Sequence, residues 1–132
     1  MYSELFGLRS DPFILHADPQ AFFATSVHGR ALSGLINCLT HQSGLVLVLG
    51  KVGSGKTTLC AHAQNQLDQD FLIANLSNPL LSTEAWLRDV NTAFGFHPFS
   101  ADTNNLVLQL KENLDSCLNQ RRKAVLFVDE GH

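Results

Sequence analysis

The chain has 132 residues, 45% of them hydrophobic and 16% charged, with a formal net charge of −3. That bounds it to one domain at most, with enough apolar content to form a core. The basic residues are scattered apart from Arg121-Arg122-Lys123, so no basic stripe marks a nucleic-acid surface; no apolar run approaches bilayer length, and Met1-Tyr2-Ser3-Glu4 does not open a secretory signal.

Residues 1–28 are aromatic-rich, with Tyr2, Phe6, Phe13, Phe22 and Phe23, and are punctuated by Asp11-Pro12 and Asp18-Pro19. Such dipeptides favour turns, so this stretch reads as an irregular lead-in segment. Two roles stay open for its aromatics: packing against the core, or lining an adenine pocket. From residue 29 to 40, Ala31, Leu32, Leu35, Ile36 and Leu39 recur at helical spacing. Next, Leu45-Val46-Leu47-Val48-Leu49 is a continuous apolar run without alternation, which predicts a strand buried on both faces of a parallel sheet.

Gly50-Lys51-Val52-Gly53-Ser54-Gly55-Lys56-Thr57-Thr58 follows that run directly. Gly-x-x-x-x-Gly-Lys-Thr between a strand and a helix is a phosphate cradle in its expected setting. Gly50, Gly53 and Gly55 let the backbone take positive φ and approach a polyphosphate, so that successive amides form one anion-binding nest. The helix beginning near Lys56 turns its positive dipole end to the same anion. Lys56 supplies a cation for the outer phosphates, the Thr57 hydroxyl suits Mg²⁺, and Thr58 offers a further hydroxyl to the inner phosphate.

The following helix spans residues 57–67, with Leu59, Cys60, Ala63 and Leu67 along its stripe. Phe71-Leu72-Ile73-Ala74 reads as a second strand, ended by Ser77-Asn78-Pro79. Ser82 or Thr83 can cap a helix whose apolar face includes Trp86, Leu87, Val90 and Phe94, and Gly95 closes it. Asp102 or Thr103 starts a longer helix in which Leu106, Leu110, Leu114 and Leu118 lie four apart, with Val107 and Cys117 widening the stripe. The triplet Arg121-Arg122-Lys123 falls at that helix's C-terminus, where basic residues suit the dipole.

Ala124-Val125-Leu126-Phe127-Val128 is a last apolar strand, ending in Asp129-Glu130. Four hydrophobic residues before Asp-Glu is the Walker B arrangement, with its carboxylates at the edge where open parallel sheets bind ligands. Asp129 would hold Mg²⁺ and Glu130 would polarise an attacking water. Alternation of strands and helices predicts an α/β layered fold with a parallel sheet. Cys38, Cys60 and Cys117 are isolated in apolar stretches, which suggests reduced thiols in a cytoplasmic protein. The histidines at 16, 28, 41, 62, 97 and 132 form no ligand pair beside an acid, so surface or cap roles are expected of them.

Taken together, the opening Met1-Tyr2-Ser3-Glu4-Leu5-Phe6-Gly7-Leu8, the segments Asp11-Pro12-Phe13 and Ala17-Asp18-Pro19, His28, and the run from Gly44 to Cys60 resemble the ExeA-type (general secretion pathway protein A) AAA+ ATPases. Asn78-Pro79-Leu80-Leu81-Ser82-Thr83-Glu84 and Phe94-Gly95-Phe96 also fall where that family has similar stretches, so the likeness covers the chain from Met1 to its last residue. It implies a P-loop NTPase of AAA+/ASCE-like type, a three-layer sandwich truncated after the Walker B strand, with 1–28 as lead-in and 29–132 as the N-terminal portion of the ATPase domain. It further implies ATP and Mg²⁺ as cofactors, and ATP hydrolysis that powers assembly or remodelling of a bacterial secretion or pilus machine. A homo-oligomer in the full-length parent, envelope secretion or pilus components as partners, and a place at the inner face of the inner membrane reached through partners or further sequence are implied as well.

Gly131 and His132 depart from the Ala and Gln or His that often follow Asp-Glu in that family. The family's sensor residue, its intersubunit arginine and its helical lid would lie beyond His132. In related folds the strand between the phosphate-loop strand and the Walker B strand also comes later in sequence, so its slot is expected to be empty and the chain to be an incomplete reading frame, a truncated product or a deliberate fragment. Two alternatives remain beside the secretion ATPase: a transposition helper ATPase acting with DNA, and a non-catalytic nucleotide-binding or interaction fragment.

Overall fold

The computed structural model describes residues 2–7, 22–41, 44–77, 82–100 and 102–129. Asp11-Pro12, Phe13, Asp18-Pro19, Asn78-Pro79, Glu130, Gly131 and His132 therefore lie outside the described residues. The element order is α1 (Tyr2–Leu5), α2 (Ser26–His41), α3 (Lys56–Gln64), β1 (Phe71–Leu76), α4 (Thr83–Ala93), α5 (Thr103–Asn119) and β2 (Lys123–Val128). The chain divides into two compact units, Met1–Asn65 and Gln66–His132.

In the first unit, two stretches expected to be irregular are helical: the short turn α1, and the start of α2 at Ser26, three residues ahead of the predicted helix. The signal for that earlier start is Thr25, whose Oγ1 accepts the His28 amide at 3.4 Å, while its carbonyl accepts the Gly29 amide at 2.9 Å. α2 and α3 pack on one another, burying Leu35 from the first and Leu59 and Ala63 from the second. α3 stops at Gln64, short of the expected Leu67.

The predicted strand over 45–49 is corrected: no ladder includes it, and Leu45, Leu47 and Leu49 are exposed. An extended segment becomes a strand only when a neighbour takes its N–H and C=O groups. Among the described residues the one ladder runs between β1 and β2.

In the second unit, β1 and β2 pair in parallel, from Phe71 opposite Lys123 to Leu76 opposite Val128. Leu72, Ala74 and Leu76 share one face of β1, as the two-residue period of a strand requires, and pack with Val90 and Phe94 of the helical layer. Trp86, Leu110, Leu114 and Leu126 complete this core from its margin. Buried Asn91 ties the two helices together, its Nδ2 donating to the carbonyls of Leu87 at 2.9 Å and Leu106 at 3.4 Å.

Capping explains the helix limits. Ser82 Oγ accepts the Ala85 amide at 3.3 Å and starts α4; Asp102 accepts the Asn105 amide at 3.2 Å and starts α5. Both helices end in the same motif. Phe96 N–H bonds the Asn91 carbonyl and Gly95 N–H that of Thr92, both at 2.9 Å, while Arg122 N–H bonds Cys117 at 3.0 Å and Arg121 N–H bonds Leu118 at 2.9 Å. The left-handed position is Gly95 (φ 79°) in one and Arg121 (φ 60°) in the other. Backbone amides of the basic triplet thus close α5.

Along α5 the four-residue leucine repeat does not stay on one face. Four residues turn a helix by about 400°, so each step drifts about 40°. Leu106 is buried, Leu110 and Leu114 are half-buried, and Leu118 is exposed, its place taken by Cys117. Val107 is exposed too, where a widened stripe was expected.

Candidate functional site

The stretch from Gly50 to Thr58 leaves an extended segment and enters α3. Gly53 (φ 75°) and Gly55 (φ 83°) both occupy the left-handed region, which side chains with a Cβ rarely adopt. The Ser54 amide donates to the Lys51 carbonyl at 3.1 Å and makes the turn between them. Gly50, expected to take positive φ with the other two, does not; a Cβ there would meet Ser54 Oγ at 2.6 Å, a close approach that rotation of the Ser54 hydroxyl can relieve.

Gly55 is the N-cap of α3 and contributes no side-chain cap; its carbonyl accepts the Leu59 amide at 2.8 Å and begins the helical ladder. Amides of such a helix start, together with those of the glycine turn, are the donors an anion needs. Lys56 Nζ lies 3.0 Å from each of the Gly50 and Lys51 carbonyls and donates to both, so the ammonium is folded back over the loop. An ammonium has three donors, and these bonds occupy two of them. Thr57 is exposed and Thr58 half-buried; Lys51 and Val52 stand exposed at the tip.

Sequence reasoning gave His28 only a surface or cap role, and the structure assigns it more. Its Nε2 is 2.9 Å from the Ser54 carbonyl, and its Nδ1 is 2.8 Å from Thr25 Oγ1. Phe22 meets the His28 ring edge-on, with centroids 5.9 Å apart, and stacks on His62 of α3 at 4.7 Å. The available signal was modest: Thr25 three residues ahead of a histidine at a helix start. Nothing in the spacing related that histidine to a loop 26 residues on.

Asp129 belongs to the second unit. Its amide donates to the Leu76 carbonyl at 2.9 Å, which extends the ladder by one bond and sets the residue at the carboxyl end of β2, next to the end of β1. Glu130, its expected partner, lies outside the described residues. No helix among the described residues is long and apolar enough to cross a membrane.

A glycine-turned loop opening a helix behind a lysine, and a carboxylate closing a parallel strand, define the class: the chain belongs to the AAA domain family, which matches residues 39–132. It is 32% identical to General secretion pathway protein A of Aeromonas hydrophila over 132 residues, 98% of this chain and 24% of that protein. The resemblance drawn from the opening residues and the loop therefore holds along nearly the whole chain. The chain spans about a quarter of the length of the curated relative it matches, 24%. No solved structure gives a significant match.

Proposed function

We propose that this chain binds ATP with Mg²⁺ and is the N-terminal portion, residues 29–132 after a lead-in of 1–28, of an AAA+ three-layer ATPase domain whose hydrolysis powers assembly or remodelling of a bacterial secretion or pilus machine. The observation that carries the reading is the loop itself: two left-handed glycines, a close approach at Gly50, and Lys56 held across the loop at the start of α3. These residues fit a polyphosphate. Amides from Gly50 through Thr57, those of Lys51, Val52 and the glycines included, would surround it, while the Ser54 amide, taken by the Lys51 carbonyl, closes the turn that shapes the nest; Thr58 would add a hydroxyl, and the third donor of Lys56 would meet its outer oxygens.

The Thr57 hydroxyl and the Asp129 carboxylate are each of the donor type that Mg²⁺ takes, and in this reading each would serve as a ligand to it. Bound Mg-ATP supplies the phosphoryl group and the charge that activates it. In this reading Glu130 orients the attacking water and takes its proton, while Lys56 and the loop amides stabilise the charge that develops. Secretion-pathway partners draw on the likeness to General secretion pathway protein A; a pilus assembly, a homo-oligomer and a place at the inner face of the inner membrane belong to the same proposal.

Titration with a fluorescent ATP analogue, with and without Mg²⁺, tests the reading. Saturable binding that strengthens with Mg²⁺ is expected; unchanged affinity in Lys56→Ala would overturn it. A second reading, a nucleotide-binding fragment without turnover, is favoured by the exposed segment 45–49 just ahead of the loop. Bound nucleotide with no phosphate release, in wild type and Glu130→Gln alike, would select it.

A further inference from the structure

His28 is held at both ring nitrogens. The Ser54 carbonyl can only accept, so Nε2 carries the proton at that 2.9 Å contact. Nδ1 is then the acceptor for the Thr25 hydroxyl at 2.8 Å, and the same hydroxyl oxygen receives the His28 amide at 3.4 Å. One tautomer satisfies every partner. Phe22 packs the ring from its edge at 5.9 Å, and through its stack on His62 it connects that packing to α3.

The carbonyl so held belongs to the peptide between Ser54 and Gly55. A trans peptide is planar, with its C=O and N–H pointing in opposite directions. Turning the Ser54 carbonyl towards His28 therefore turns the Gly55 amide away from it. Gly55 is the left-handed N-cap of α3, at φ 83° and ψ 20°, and a Cβ placed there would lie 3.6 Å from His28 Nε2. Glycine on both sides of Ser54 leaves this peptide easy to rotate, so an unheld loop would spread its amides over several directions.

We infer that His28 is a positioning residue for the phosphate loop: from the first turn of α2 it fixes the Ser54–Gly55 peptide so that the Gly55 amide is aimed into the anion nest before any ligand arrives. Ordering the loop in advance removes part of the entropy lost on binding. The inference rests on the proposed nucleotide site for the identity of the ligand, whereas the tether is a property of the ligand-free chain.

The test compares the full chain with His28→Ala, His28→Leu and His28→Gln, and with Thr25→Val, which removes the second anchor. Gln carries an amide that can donate to the Ser54 carbonyl; Leu fills the space without donating. In the absence of ligand, NMR order parameters of the Gly53 and Gly55 amides are expected to fall from about 0.85 to below about 0.6 in Ala and Leu, to stay near wild type in Gln, and to fall partway in Thr25→Val. Calorimetry with ADP should show roughly tenfold weaker binding in Ala and Leu, restored by Gln, with AMP affected less.

Unchanged loop order in Ala and Leu overturns the tether, and so does a Gln variant as loose as Leu, which would leave only a space-filling role. A loosened loop with undiminished ADP affinity overturns the positioning role. Should wild type bind no ADP while the loop still loosens in Ala and not in Gln, the tether stands and the nucleotide reading falls. If Ala and Leu fail to fold, Thr25→Val and Gln decide by the same order parameters.

Discussion

In the second unit Leu106 and Val90, on two capped helices that pack together, are 0% and 2% exposed; in the first, Leu47 and Leu49 stand 73% and 81% exposed beside the glycine-turned loop. The second unit takes its order from apolar packing, which is non-directional and scales with the area removed from water. Ordering of the loop in the first unit comes instead from directional contacts: Lys56 on two carbonyls, Ser54 on Lys51, His28 on Ser54. A surface that must admit a charged ligand cannot be buried, so hydrogen bonds replace hydrophobic contact where the loop needs to be held.

The sharpest way to break this comparison is Leu106→Ala, which should lower the stability of the second unit by about 2–5 kcal/mol, seen as a shifted urea midpoint. A loss under about 1 kcal/mol would mean that the packing there is looser than its burial implies. Next in size is Lys56→Ala. Binding of an ATP analogue should weaken by roughly ten- to a hundredfold while the thermal transition stays in place, as a charged donor on an exposed loop requires. Gly95→Ala forces a Cβ into a left-handed position and should cost about 1–2 kcal/mol in the same urea titration. The smallest effect is a gain: Arg121→Gly relieves the same strain at the end of α5 and should add roughly 0.5–1 kcal/mol. A loss of stability at 121 as well as at 95 would show that the two helix ends are not the same device.

Much of this was legible in the residues. Ser82, Gly95 and Asp102 marked helix limits within a residue or two because caps are local chemistry. β1 was found from an apolar run closed by turn formers, β2 from one ending in an acidic pair, and the loop from its glycines and lysine. The strand status of 45–49 was not legible, since a ladder depends on a neighbour and not on the segment's own composition. Leu118 was misjudged because a four-residue repeat exceeds the helical period. The link from His28 to the loop was not legible because its partner is a backbone carbonyl distant in sequence, and a carbonyl leaves no mark on side-chain pattern.

The pairing of Phe71 with Lys123 has a consequence for the order of folding. Closing that loop must gather α4 and α5 before any strand bond can form, and the chain entropy lost in closure precedes the reward. Both helices carry their own start and stop contacts from adjacent residues, so they can form early and the ladder last. On refolding, far-ultraviolet helical signal should rise ahead of the emission change of Trp86, the lone tryptophan, which packs at the margin of the sheet's core.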